Sequence, residues 1–150
     1  MIWTEQTLKA MRLAGLYHSS QVDKLQVPYL YHLYAVADKQ TSEEGVIVGF
    51  LHDLLEDVFD KRTKEEANTL IVDIFGFSEE VFQAIWLLRH DKNTPYQMYI
   101  EAIAGNPLAK SVKLADLEHN LNPDRLQFIE EKTKNRLLEK YTAAYNFLTK

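Results

Sequence analysis

The chemistry of this chain concentrates in nine residues, Gly49-Phe50-Leu51-His52-Asp53-Leu54-Leu55-Glu56-Asp57. One imidazole and three carboxylates fall within two turns of a segment otherwise built from Val46, Ile47, Phe50, Leu51, Leu54, Leu55 and Val58. Burying that much charge is costly unless the groups are paired, hydrogen-bonded or bound to a metal. At roughly 100° per residue a helix makes His52 and Asp53 neighbours on its surface and sets Glu56 and Asp57 one turn further along. A helix end with solvated acids would give the same local pattern. Two other segments weigh against that simpler reading, Pro28-Tyr29-Leu30-Tyr31-His32 upstream and Lys113-Leu114-Ala115-Asp116-Leu117-Glu118-His119-Asn120 downstream. Together they supply His…His-Asp…Asp, a mixed nitrogen and oxygen set suited to a divalent cation.

Helices must position these groups. No strand-like alternation persists along the chain, and only five Gly and four Pro interrupt the helical spacing. The pattern predicts a first helix from Thr4-Glu5-Gln6-Thr7 to about His18, a loop over 19–27, and a second helix from about Pro28 to Lys39. Thr41-Ser42-Glu43-Glu44 reads as a capping box opening a third helix, the one that carries the doublet. Asp60-Lys61-Arg62 reads as a turn, Thr63 as the cap of a fourth helix ending near Phe75-Gly76, and Ser78 as the cap of a fifth reaching about Arg89. Tyr96 to Ala104 forms a sixth, ended by Gly105. Asn106-Pro107 is a good start for a seventh, running to about Leu121. Asn122-Pro123-Asp124 then turns the chain into one long final helix, about Arg125 to Leu148. The expectation is an all-α, compact single domain of about eight helices over residues 1–150.

That length suits one hydrophobic core, and a hydrophobic fraction of 46% is ordinary for a globular protein. A net charge of −5 provides no basic face for nucleic acid, so a polyanionic substrate must be met by local positive charge or by metal. The absence of cysteine excludes thiolate ligation and disulfides and fits a reducing compartment. Met1-Ile2-Trp3-Thr4 leads straight into helical pattern without a signal-peptide signature, and no apolar run approaches the ~20 residues of a membrane span. The expected setting is the cytoplasm.

The blocks resemble, in order, those of the HD phosphohydrolases, and most closely the hydrolase domain of the Rel/SpoT-type alarmone enzymes and their stand-alone small relatives. Ala14-Gly15-Leu16-Tyr17-His18-Ser19-Ser20-Gln21 looks like that family's AHxGQ stretch, Pro28 to Leu33 like its PYxxHP segment, Phe50 to Asp57 like LLHDxxED, and Lys113 to Asn120 like KLADxxHN. A bare His-Asp dipeptide is weak; four blocks in the right order over about residues 10–145 are specific. The resemblance implies that His32, His52, Asp53 and Asp116 bind one divalent metal ion. Mn²⁺ is the expected ion, because similar alarmone hydrolases use it and the chain offers no sulfur ligand. The resemblance gives Glu56 and Asp57 the task of orienting and deprotonating the attacking water, and makes Lys24, Asn120 and His18 substrate contacts. Alternatives stay open for several positions: Asn120 as an amide bracing a turn, His18 as a packing residue, Lys113 as a solvated surface lysine, and Tyr96 and Tyr99 as aromatic packing with base stacking a second option. His90-Asp91, a second His-Asp doublet, lies outside every ligand block and reads as a decoy.

The implied reaction is removal of the 3′-pyrophosphate of guanosine tetra- or pentaphosphate, leaving GDP or GTP. Four departures from the family pattern touch nucleotide recognition more than the metal. Asp23 stands where an arginine often stacks on guanine, Leu25-Gln26-Val27 lacks the usual glycine, Val58 follows the Glu-Asp pair, and Asn122-Pro123 replaces an Arg-Thr pair. One rival is an HD pyrophosphatase or nucleotidase for a different nucleotide. Another is a nucleotide-binding sensor without turnover, which would have no use for a positioned water.

Overall fold

The computed structural model describes residues 1–150 and is helical throughout. Its segments are α1 (Glu5–Tyr17), α2 (Leu30–Asp38), α3 (Glu43–Leu51), α4 (Leu54–Asp57), α5 (Lys64–Asn68), α6 (Glu79–Leu88), α7 (Tyr96–Ala104), α8 (Pro107–Asn120), α9 (Pro123–Leu126) and α10 (Glu131–Leu148). Side-chain caps start many of them. The hydroxyls of Thr4, Ser42, Thr63 and Ser78 accept from backbone N–H groups of the first turns of α1, α3, α5 and α6, and Asn106 does the same for α8. No helix is long and apolar enough to cross a membrane.

α3 is the axis of the fold. Every residue from Gly45 to Leu51 is buried, so this helix is apolar all round and must be enclosed by others. α1, α2, α6 and α8 all pack on it. α2 approaches most closely, because a Cβ at Gly49 would stand 2.7 Å from the Ala37 Cα. α8 in turn carries α7 and α10 on its outer side. The core runs continuously through these helices, with Leu33, Phe50, Leu55, Phe82, Ile100 and Leu117 completely or almost completely buried.

The segmentation differs from the sequence-based expectation at four places. The doublet does not sit within one helix: α3 stops at Leu51 and α4 restarts at Leu54, leaving His52-Asp53 at the break. Ser42, not a box begun by Thr41, caps α3. The expected fourth helix changes character after Asn68 and continues as a π-helical stretch, Thr69–Ile74, closed by Gly76 at φ 76°. The final helix is two, since the chain turns between Leu126 and Glu131. Ten α-helical segments thus replace about eight.

Candidate metal centre and adjoining clefts

The break in the doublet has a local cause. His52 Nδ1 lies 2.8 Å from the Gly49 carbonyl oxygen, one of the carbonyls that a helix end leaves unpaired. A carbonyl only accepts, so Nδ1 carries a proton, and whenever the ring is neutral Nε2 is left with a lone pair. That nitrogen is buried and has no hydrogen-bond partner. It nevertheless stands 3.1 Å from Asp53 Oδ2 and 3.8 Å from Asp116 Oδ1, close to both but aligned as a hydrogen bond with neither. Three electron-rich atoms facing one point repel one another unless positive charge lies between them.

His32, from the first turns of α2, completes the cluster. Its Nε2 is 2.9 Å from Asp116 Oδ1, and His32, His52 and Asp53 each offer a ligand atom within 4.8 Å of the others. His119, which burial and the neighbouring charges of His32 and Arg125 lower to about 4, is neutral at pH 7. Its Nδ1 lies 2.6 Å from His32 Nδ1, and the hydrogen bond between the two rings aims the other nitrogen of His32 at the cluster. A hydrogen bond on the far ring nitrogen is the usual way a metal-binding imidazole is held in place. The Tyr29 hydroxyl donates to Asp53 Oδ2 and Asn120 Nδ2 to Asp116 Oδ1, the latter at 3.0 Å.

The charges agree with a cation site. Burial opposes ionisation of Asp53, but positive charge on the neighbouring His52 ring outweighs it and holds its carboxyl down to about 2. Burial likewise opposes charge on Asp116, yet Lys113, His32 and His52 keep its carboxyl well below the ordinary range. Burial would also lower the His52 pKa, but the two carboxylates raise it instead. The centre thus calls for positive charge, which a proton or a divalent ion can supply. The orphaned His52 Nε2, the convergent donors and the N/O composition fit a divalent metal.

Glu56 and Asp57 follow on α4; both are exposed, and of the two only Glu56 lines the cavity over this centre. The Glu56 Oε1 accepts from the His90 backbone N–H at 2.7 Å, and Asp57 Oδ2 accepts from Gln21 Nε2 at 2.8 Å. Partial desolvation is the main cause that raises both carboxyls above their ordinary values, with the Asp53 charge adding to it. The pair is anchored rather than free, and each member is more basic than a solvated acid.

Two clefts meet here. A cavity of about 170 Å³ is lined by His52, Asp53, Asp116 and Glu56, and on its other walls by Tyr96, Lys113 and Lys140. A second, of about 360 Å³, is lined by Asp23, Lys24 and Arg125 together with the apolar Leu126, Ile129 and Leu137. Tyr29, Asn120 and Tyr141 line both, so the clefts are contiguous at those side chains.

Several residues fall elsewhere than the sequence suggests. His18 lines neither cleft; it is buried, and its Nδ1 lies 2.6 Å from Gln21 Oε1, so it steadies the glutamine that holds Asp57. Lys113 is not a solvated lysine: it is 9% exposed, with Nζ 2.8 Å from Asp116 Oδ2. His90 stands apart from the His32, His52 and Asp53 group, but its backbone anchors Glu56 and it lines the smaller cleft. Tyr99 packs as expected, its hydroxyl donating to the Leu88 carbonyl. Asn120 reaches Asp116 instead of bracing the next turn. Lys140 and Tyr141 carry no motif at all; α10 brings them to the site because it packs on α8 and α7. Asp23 is occupied locally: Oδ1 accepts from the Leu25 and Val27 N–H groups, while Oδ2 lies 3.0 Å from Arg125.

No protein-family model matches the chain, and no curated protein is similar to it in sequence. A solved structure is similar in fold, with a TM-score of 0.77 at 22% identity over 99% of this chain and 88% of that one. It is described as a metazoan orthologue of SpoT that hydrolyses ppGpp and plays a role in starvation responses. The chain therefore has the all-helical fold of that hydrolase.

Proposed function

We propose that this protein is a metal-dependent phosphohydrolase that removes the 3′-pyrophosphate of guanosine tetra- or pentaphosphate. The observation that carries the reading is the buried, unpartnered His52 Nε2, facing Asp53 and Asp116 beside His32 at the floor of a two-part cleft. The fold shared with a ppGpp-hydrolysing protein supports it. His32, His52, Asp53 and Asp116 would hold the ion, with Mn²⁺ the expected one. A divalent ion there would lower the pKa of water and offset charge developing on the phosphoryl group.

The chain's own residues supply the rest. Glu56, held by the His90 N–H and raised in pKa, accepts a proton from the attacking water. Asp57, steadied by Gln21, orients that water through its free oxygen. The water oxygen bonds to the phosphorus, the bond to the ribose 3′ oxygen breaks, and that oxygen leaves with the electron pair and takes up a proton. Lys113 keeps Asp116 ionised and turned toward the centre, and Tyr29 does the same for Asp53. The larger cleft, with apolar walls and the Lys24 and Arg125 cations, suits a nucleoside and its 5′ phosphates.

The Asp23–Arg125 pair supports one rival, an HD nucleotidase or pyrophosphatase for another nucleotide. It puts a carboxylate on the wall of the larger cleft and engages the guanidinium there. Release of pyrophosphate and phosphate from a nucleotide panel with Mn²⁺ separates the two. Guanosine tetraphosphate should be cleaved well ahead of GTP, ATP and deoxynucleotides. Equal or faster cleavage of the latter would give the rival the case, and no cleavage of any nucleotide would favour a binding sensor.

A further inference from the structure

The smaller cleft holds two donors that the centre does not use. The Tyr96 hydroxyl is buried, lines the cleft and has no hydrogen-bond partner. Its neighbour Tyr99 shows the contrast, because there the hydroxyl is consumed by the Leu88 carbonyl. The Tyr96 ring is fixed edge-on against His90 and Tyr99, each with centroids 5.7 Å away, so the hydroxyl has a set direction. Lys140 is the second donor. Its Nζ stands 4.3 Å above the Tyr96 ring, lines the same cleft, and forms neither an ion pair nor a hydrogen bond. Lys113, the other ammonium of this cleft, is already engaged by Asp116. Lys140 is an exposed residue whose pKa is lowered by partial desolvation and then by the charges of Lys113, Arg136 and Lys24, against the Glu56 carboxylate, which raises it. Glu56, the nearby carboxylate of this cleft, is held by the His90 N–H, so the unpaired ammonium and the unpaired phenol together leave a place for a further anion that only accepts hydrogen bonds.

We infer that the Tyr96 hydroxyl and the Lys140 ammonium seat the distal phosphoryl group of a diphosphate ester, while the proximal phosphoryl lies against the His32, His52, Asp53 and Asp116 centre. This rests on the phosphohydrolase reading and assigns the side chains that recognise the distal phosphoryl group. Water oxygen bonds to the proximal phosphorus and the bond to the ribose oxygen breaks. The ribose oxygen keeps the electron pair and takes up a proton. The distal phosphoryl stays attached to the proximal one throughout, so the product is pyrophosphate and not orthophosphate. Phosphoryl oxygens accept from both donors, which satisfies the buried phenol and the free ammonium together. A monophosphate ester would leave both unmatched.

Calorimetric titration of inorganic pyrophosphate and of orthophosphate into the full chain with Mg²⁺ tests this without turnover. The wild type should bind pyrophosphate more tightly than orthophosphate. Tyr96→Phe, which keeps ring and packing, and Lys140→Gln should each weaken pyrophosphate binding by about tenfold or more, the worth of one hydrogen bond to a charged group. Orthophosphate binding should hold within about twofold, since it is made at the centre. Lys140→Arg should retain most of the preference. Equal loss for both anions, or no loss for either, would overturn the assignment. A wild type that prefers pyrophosphate through these side chains yet cleaves no nucleotide would refute the hydrolase reading and keep the seat. Nucleotide cleavage with both variants indifferent to pyrophosphate would do the reverse.

Discussion

Lys113 provides the sharpest quantitative test, because a solvated lysine and a buried one differ in every consequence. Lys113→Met keeps most of the aliphatic stem and removes the ammonium. For a surface residue the change would stay within about 0.5 kcal/mol. Here Nζ is 2.8 Å from Asp116 Oδ2, a separation worth about 6 kcal/mol of attraction at an effective dielectric of 20. Removing one member of a buried pair typically costs about 3–5 kcal/mol. Asp116 retains Asn120 and His32, so the lower end applies, about 3 kcal/mol. At roughly 2–4 °C per kcal/mol for a domain of this size, chelated protein should melt about 6–12 °C lower. Mn²⁺ should return much of that loss, because with the ammonium gone a divalent ion is the strongest remaining counter-charge for Asp116. The metal-induced rise in Tm should therefore be larger in the variant than in the wild type. The Asp116 carboxyl is depressed in the folded state, so the pair stabilises above its unfolded value and that contribution disappears as pH falls through the folded one. The gap between the two proteins should accordingly close in acid. A chelated Tm within about 1 °C of wild type at pH 7 would refute the buried-pair reasoning.

Other outcomes follow from the same geometry. Glu56→Gln should lower kcat by about 10²–10⁴-fold with metal affinity little changed, and steady-state kinetics beside metal analysis would show otherwise if Glu56 only binds substrate. Asp57→Asn removes a negative neighbour from Glu56, whose carboxyl is raised chiefly by desolvation and further by Asp53 and Asp57. Activity should fall as pH drops through the Glu56 value, and in this variant that acid limb should move to lower pH; an unmoved or upward-shifted limb in kcat profiles would contradict the coupling. Asp53→Ala should abolish the Mn²⁺-dependent stabilisation, which at a hundredfold excess over Kd is about 3 kcal/mol, as read by melting with and without chelator. Gly49→Ala places a Cβ 2.7 Å from the Ala37 Cα, a backbone atom that cannot swing aside. It should cost about 1–3 kcal/mol in denaturant unfolding and weaken metal binding, because α2 carries His32 and His52 caps the end of α3.

By itself, the sequence determined what periodicity and caps encode. Thr4, Thr63, Ser78 and Asn106 start their helices through contacts only a few residues long, and the apolar run around Val46 to Leu51 marks an enclosed element. The order His32, His52-Asp53, Asp116 was legible too, because residue type and block order carry it. Tertiary structure decided the rest. Whether α3 runs through His52 depends on the side chain capturing the Gly49 carbonyl, which competes with helix propagation and carries no propensity signal. The burial of Lys113 depends on α7 and α10 covering that face of α8, and His90 joins the site through a backbone N–H that no residue type announces. Lys140 lies 24 positions beyond Asp116 on a helix whose pattern marks it as solvent-facing, yet it lines the same cleft. Local pattern tells each helix which face to bury; only the packing of distant helices decides which charges meet.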